Sequence, residues 1–253
     1  MNKFLTSTLR LLIVSFLFGI SFTTSAQDGK SKNEMAEKPS LFSAKADFRT
    51  KYISRGLEYG DAPVVFGFLN FDYEGLNIFA DGSYAMNGSH REVDFGINYT
   101  WKWFTLGVSD YYFPTNDKKD HFFNYQPDKT GHYIEGWFNF NVPGIPHWFQ
   151  ASTYVMGPDR TLEGKQAFST YLELGYRHSF SEHNHLSLAL GISPNRSMYN
   201  HYEKKFCFAN AVLTYETGIS FKNFFLPVNA SVVLNPYTQK PAFVLGIILS
   251  TKQ

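Results

Sequence analysis

An all-β fold, an antiparallel transmembrane β-barrel of about twelve strands, is predicted by three features of the sequence. They are a hairpin with one unbroken apolar face, connections that alternate between short and long, and an aromatic content of 18% at a mean hydropathy of only -0.26. The hairpin runs from Glu92 to Phe113 as EVDFGINYTW and FTLGVSDYYF, joined at Lys102 and Trp103. Successive strand side chains point to opposite faces. Val93, Phe95, Ile97, Tyr99 and Trp101 therefore share one side, and Glu92, Asp94, Gly96, Asn98 and Thr100 the other. A soluble sheet buries such an apolar face on a core, whereas a transmembrane barrel turns it to lipid and its polar face to the lumen.

The chain begins with MNKFLTSTLR, carrying Lys3 and Arg10, followed by LLIVSFLFGISF and the small residues of TTSA. A basic start, an apolar run shorter than the ~20 residues of a spanning helix, and Thr24 and Ala26 before Gln27 predict a signal peptide over 1–26. No cysteine follows the apolar run, which argues against a lipid-anchored lipoprotein, and the single Cys207 has no internal disulfide partner. Removing Lys3 and Arg10 takes the formal charge from +1 to -1, so no basic excess points to nucleic acid. Residues 27–40 (QDGKSKNEMAEKPS) are polar without periodicity and read as a flexible periplasmic leader.

Residues 41–253 read as one barrel domain. FSAKADFRTKY places Lys45, Asp47, Arg49 and Lys51 on one face, a set no soluble core accepts. VVFGFLNFDY and LNIFADGSYAM follow, split at Glu74 and Gly75, and then the hairpin described above. HYIEGWFNFNV and WFQASTYVM flank PGIP, YLELGYRHSF and LSLALGI flank Ser181 to Asn184, and KFCFANAVLTYETGISF turns at Lys222 and Asn223 into FFLPVNASVVL before AFVLGIILS. The links near Glu74, Lys102, Pro143 to Pro146, Ser181 to Asn184 and Lys222 are short, whereas Arg55 to Ala62, Pro114 to Gly131, Gly157 to Gln166 and Asn195 to Lys205 are longer, and those at Asn87 and at Asn235 to Lys240 are only moderately long, exceptions to the alternation. Outer-membrane barrels carry short turns on the periplasmic side and longer loops outside. A soluble sandwich has no reason to alternate its connections in this way.

The segment YISRG, Tyr52 to Gly56, following an alternating strand, resembles the opening of the TorF-like porin family, and Glu92, Asp94 and Tyr99 also match that pattern. The resemblance implies an outer-membrane barrel and specifies no substrate.

The charged and polar positions predicted to line the lumen are Lys45, Asp47, Arg49, Lys51, Glu92, Asp94, Asn98, Glu135, Glu173, Arg177 and Glu216. Rings of such charges set ion and solute selectivity in a pore; the alternative is that they pair across the lumen and satisfy one another. The expected role is a passive channel, with small solutes and outer-membrane lipid as partners and an oligomeric state that one sequence leaves open. A plugged barrel with a lipid-modifying or structural surface role is the alternative. No cofactor, metal or catalytic residue is expected. His183 and His185 with Glu182 sit on one short turn, His121 and His201 lie in loops, and no nucleophile elbow is present. The sequons at Asn87, Asn98, Asn195 and Asn229 are assigned no role.

Overall fold

Period-2 alternation becomes a closed wall. The computed structural model describes residues 40–114, 121–127, 129–203, 205–222 and 224–251; the signal peptide and nearly all of the leader lie outside the described residues. The strands are β1 (Phe42–Arg49), β2 (Tyr52–Ser54), β3 (Leu57–Gly60), β4 (Val64–Tyr73), β5 (Leu76–Ala85), β6 (Arg91–Trp101), β7 (Phe104–Tyr112), β8 (His132–Asn141), β9 (His147–Met156), β10 (Thr170–Ser179), β11 (His185–Ser193), β12 (Cys207–Phe221), β13 (Phe224–Asn235) and β14 (Lys240–Ser250). All but β2 and β3 join in one antiparallel barrel of 12 strands, closed where β1 pairs with β14.

The outer face is apolar. Leu69, Ile78, Phe95, Ile97, Leu106, Leu174, Leu213, Phe243 and Leu245 are all exposed on it. Tyr73, Tyr99, Trp101, Trp103, Phe221 and Phe224 form an aromatic band at one end, and Tyr84, Phe206 and Phe208 lie near the other. A wall that is greasy outside and banded by aromatics matches a lipid solvent.

One end carries the short turns. Glu74 and Gly75, both at positive φ (47° and 88°), join β4 to β5, the backbone sense that a tight hairpin turn requires. The opposite, long-loop end carries the connections before β4, β6, β8, β10, β12 and β14. Within the wall, several inward-facing aromatics lie over a glycine of the neighbouring strand: Phe79 over Gly96, Trp137 over Gly107, Trp148 over Gly175 and Phe225 over Gly218. A Cβ on any of these glycines would come within 2.0–2.2 Å of a ring atom. The glycines thus let bulky rings lie along the wall instead of projecting into the lumen.

The stretch Arg55 to Ala62, expected as one of the outside loops, does not leave the barrel. Its first part belongs to a two-stranded hairpin, β2–β3, that turns inward.

Candidate functional site

The inward hairpin begins where β1 ends. Tyr52 packs edge-on to Phe66 (4.8 Å between ring centroids) and His90 (5.0 Å), while Tyr59 stacks on Tyr52 (5.1 Å) and Phe113 (6.0 Å). These contacts root the hairpin beside β4, β6 and β7. Its turn is Arg55–Gly56, with φ of 52° and 78°. The tip meets other walls: a Cβ on Gly56 would lie 2.0 Å from the carbonyl oxygen of Ala209 on β12, and Asn235 at the end of β13 donates to the Gly56 carbonyl at 3.1 Å. Only glycine combines that φ with that approach. The hairpin therefore crosses the lumen.

Arg55 holds the crossing in place. Its Nη2 donates to Glu135 Oε2 at 2.9 Å and its Nη1 pairs with the other oxygen of the same carboxylate, a forked geometry. Nη1 also donates to the Tyr199 hydroxyl at 3.1 Å, the guanidinium lies 5.3 Å from the Tyr171 ring, and the Tyr111 hydroxyl donates to Glu135 Oε2 at 2.9 Å. Tyr199 comes from a 3-10 turn, Met198–Asn200, in the β11–β12 loop. Burial raises the pKa of its hydroxyl, keeping it a neutral partner for the guanidinium. The Glu135 side chain is 0% exposed and that of Arg55 16%. A charge pair so enclosed persists only because each charge answers the other.

The residues predicted to line the lumen separate into several arrangements. Lys45 sits 3.8 Å from the Phe68 ring centroid. Asp47 accepts from Arg49 at 2.6 and 3.1 Å, and the Arg49 guanidinium lies over Phe66 at 4.8 Å. Lys51 lies past the end of β1, on the way into the hairpin, and pairs with Glu58 of β3 at 2.9 Å. It was expected on the first strand's wall face, but the wall strand stops at Arg49 and Lys51 lies beside the inward hairpin. Glu92 is buried and meets Ser83 Oγ and His90 Nε2, both at 3.1 Å. Asp94 stands directly opposite Asp81 of β5.

Toward the short-turn end, Asn98 donates to Asn77 at 2.8 Å and Asn77 to Asp72 at 2.8 Å. Glu173 accepts from the Tyr171 hydroxyl at 2.5 Å and from Trp148 Nε1 at 3.4 Å. Arg177 pairs with Glu216 at 2.7 Å, side chains 43% and 37% exposed. Arg55, Tyr199 and Asp81 were not singled out from the sequence. Asp81 shares the inward period of Asn77 and Ser83 and was legible. The role of Arg55 depends on a partner 80 residues away.

The cluster Ser83, His90 and Glu92 looks superficially catalytic. Yet Ser83 Oγ (2.9 Å) and Glu92 Oε2 (3.1 Å) both address the same nitrogen, Nε2 of His90, so no relay runs from acid through imidazole to hydroxyl. His185 bonds Ser179 Oγ and the Glu182 carbonyl, His183 packs on Phe225 at 4.2 Å and His201 on Tyr237 at 5.8 Å. His121 is exposed in the β7–β8 loop. Among the described residues, no three His, Cys, Asp or Glu side chains gather as a metal would need.

No family model and no curated protein matches the sequence. Membership of the TorF-like family thus stays a resemblance carried by YISRG and the β6 residues. Among solved structures, the chain is similar to an outer membrane channel from Pseudomonas putida F1, at 12% identity over 87% of this chain and 99% of that one, with a TM-score of 0.45. It is also similar to a bacterial polysaccharide outer membrane secretin, at 9% identity over 83% of this chain and 71% of that one, with a TM-score of 0.37. The outer membrane channel DcaP of Acinetobacter baumannii aligns at 10% identity over 83% of this chain and 94% of that one, with a TM-score of 0.32.

Proposed function

We propose that this chain is an outer-membrane barrel that passes small solutes passively through a lumen narrowed by its own hairpin. The observation that carries the reading is the β2–β3 hairpin, held across the lumen by the Arg55–Glu135 pair, above a half-exposed polar lining. An eight-stranded barrel is filled by its side chains, and barrels of about 16 to 18 strands leave an aqueous channel. Twelve strands fall between these sizes, so one short hairpin closes off much of the bore. Below it, Asn70, Asn77, Asn98, Asn139, Gln150 and Thr214 present amides and a hydroxyl, groups that exchange hydrogen bonds with water and with small polar solutes. Rings that lie flat over glycines take up less of that part of the bore than rings projecting inward would.

The outer-membrane location is supported by the apolar outer face, the loop asymmetry and the cleavable-signal pattern. The native protein is expected to begin at Gln27 and to fractionate with outer membranes. Recovery from the soluble periplasmic fraction would overturn that location.

The channel reading is tested in planar bilayers. The wild-type protein should give small, stable current steps, and a variant with residues 53–59 replaced by a Gly-Ser linker should give steps several-fold larger. Silence from both would reject a channel and leave a plugged barrel with a structural surface role. Equal steps from both would mean that ions do not pass the hairpin.

A further inference from the structure

The β7–β8 connection contains a second displaced segment, on the other side of the wall. Strand alternation sends Tyr111, Tyr133 and Glu135 into the lumen and so turns Asp110, Tyr112 and His132 outward, with Tyr112 and His132 directly paired. A carboxylate and an imidazole therefore stand on the face that elsewhere carries Phe95, Val108 and Phe138. Left uncovered beside lipid, such groups are costly.

The segment from His121 to Tyr125 covers them. His132 is engaged at both ring nitrogens, Nδ1 by Asp110 Oδ1 at 2.7 Å and Nε2 by the Phe122 carbonyl at 2.5 Å. The Tyr125 hydroxyl donates to Asp110 Oδ2 at 2.7 Å and its ring stacks on His132 at 4.2 Å. Phe122 packs edge-on against Phe95 (6.0 Å), Tyr112 (5.2 Å) and His132 (5.3 Å). The strap is thus fastened to the outer wall near its long-loop end, and from it Phe123 extends 86% exposed. In the sequence, exposed His121, Gln126 and Lys129 lie on either side of Phe123.

We infer that this strap is a membrane-docking element that seats Phe123 in the leaflet at the long-loop end, with lipid headgroups as its partner. The inference rests on the membrane reading above. Its support is continuity: the strap overlies lipid-facing Phe95, and an aromatic ring among polar groups is suited to the boundary between headgroups and acyl chains. Phe123 packs edge-on against Phe122 at 5.1 Å yet leaves 86% of its surface open, more than the shielding of Asp110 and His132 calls for.

The test uses nitroxide labels on the full mature protein in liposomes. Cys207 is the single cysteine and is buried, so a Cys207→Ser background leaves each introduced cysteine as the only label site. Labels at Phe123→Cys, at Ile97→Cys on the mid-wall and at Glu163→Cys in the β9–β10 loop are compared for collision with oxygen and with a water-soluble nickel chelate. The Phe123 label should favour oxygen over nickel, closer to Ile97 than to Glu163. A Phe123 label that reads like Glu163 while Ile97 reads as lipid overturns the strap alone. Shielding from both reagents also overturns it, since protein would then cover the ring. Nickel access at Ile97 overturns the membrane reading and the inference with it.

Discussion

The two halves of the lumen use similar side chains to opposite ends. At the long-loop end, carboxylates and tyrosines are enclosed: Asp47, Glu92, Glu135, Tyr154, Tyr171 and Tyr199 are all buried, and the β2–β3 hairpin fills the space between them. At the short-turn end the inward positions are half-exposed amides, hydroxyls and one ion pair, Arg177–Glu216. Residue type differs between the halves but is not the whole of the difference, since each half holds an Arg–Glu pair. The rest lies in whether a second layer of chain is present. A hairpin tip turns the wall carboxylate Glu135 into an anchor, and without such a layer the Arg177–Glu216 pair stays partly exposed.

The largest expected effect separates the two ion pairs. Glu135→Ala strands the Arg55 guanidinium in an enclosed site and should cost about 3–5 kcal/mol, because breaking a buried pair leaves an uncompensated charge. Glu216→Ala removes a half-exposed partner and should cost at most about 1 kcal/mol. Urea unfolding of both variants in the same lipid, followed by tryptophan fluorescence, makes the comparison. Equal losses would mean that the hairpin is not packed as described.

Wall orientation comes next. An Arg on the lipid face at mid-depth costs about 2–4 kcal/mol, and one in a wet lumen much less. Ile97→Arg should therefore destabilise far more than the adjacent Asn98→Arg. A register slip of one residue would reverse the order.

Much of this arrangement could be read from the chain. Val93, Phe95, Ile97, Tyr99 and Trp101 lie outward as their alternation predicts, and the turns at Glu74, Lys102 and Lys222 fall at one end of the barrel. Both signals are local, spanning two residues or one hairpin. The inward turn of YISRG is not local. Strands of 3 and 4 residues are too short to show a period, and Tyr, Ile, Ser, Arg and Gly serve equally well in an outside loop. Glu135, with Tyr111 beside it, and the Tyr199 and Tyr171 side chains give Arg55 a reason to enter. The strap escaped notice for the same reason, since Asp110 and His132 break the outward apolar pattern singly and their cover is contributed by a loop.

Backbone fit at the hairpin tip gives a smaller effect. Gly56→Ala adds a Cβ into the Ala209 carbonyl and strains a positive φ, so it should cost about 1–3 kcal/mol and enlarge current steps by loosening the tip. Gly136→Ala, on the outer face of β8 with open space around it, should change neither stability nor current beyond error. A silent Gly56→Ala would show that the tip does not touch β12.

The smallest effect concerns selectivity. Arg177→Gln leaves Glu216 half-exposed to the lumen, so it should shift the reversal potential under a salt gradient toward cations. Neutralising Arg49 and Lys51 together should shift it in the same direction but less. Asp47, which loses Arg49, is only 1% exposed, so a passing ion does not approach it closely. Glu58, which loses Lys51, is 42% exposed, so a residual shift is expected. Both shifts should shrink at 1 M salt, where the screening length falls to about 3 Å. A larger shift from the Arg49 and Lys51 double variant than from Arg177→Gln would place the selective part of the pore beside the hairpin, making the packed half the filter and the open half only its vestibule.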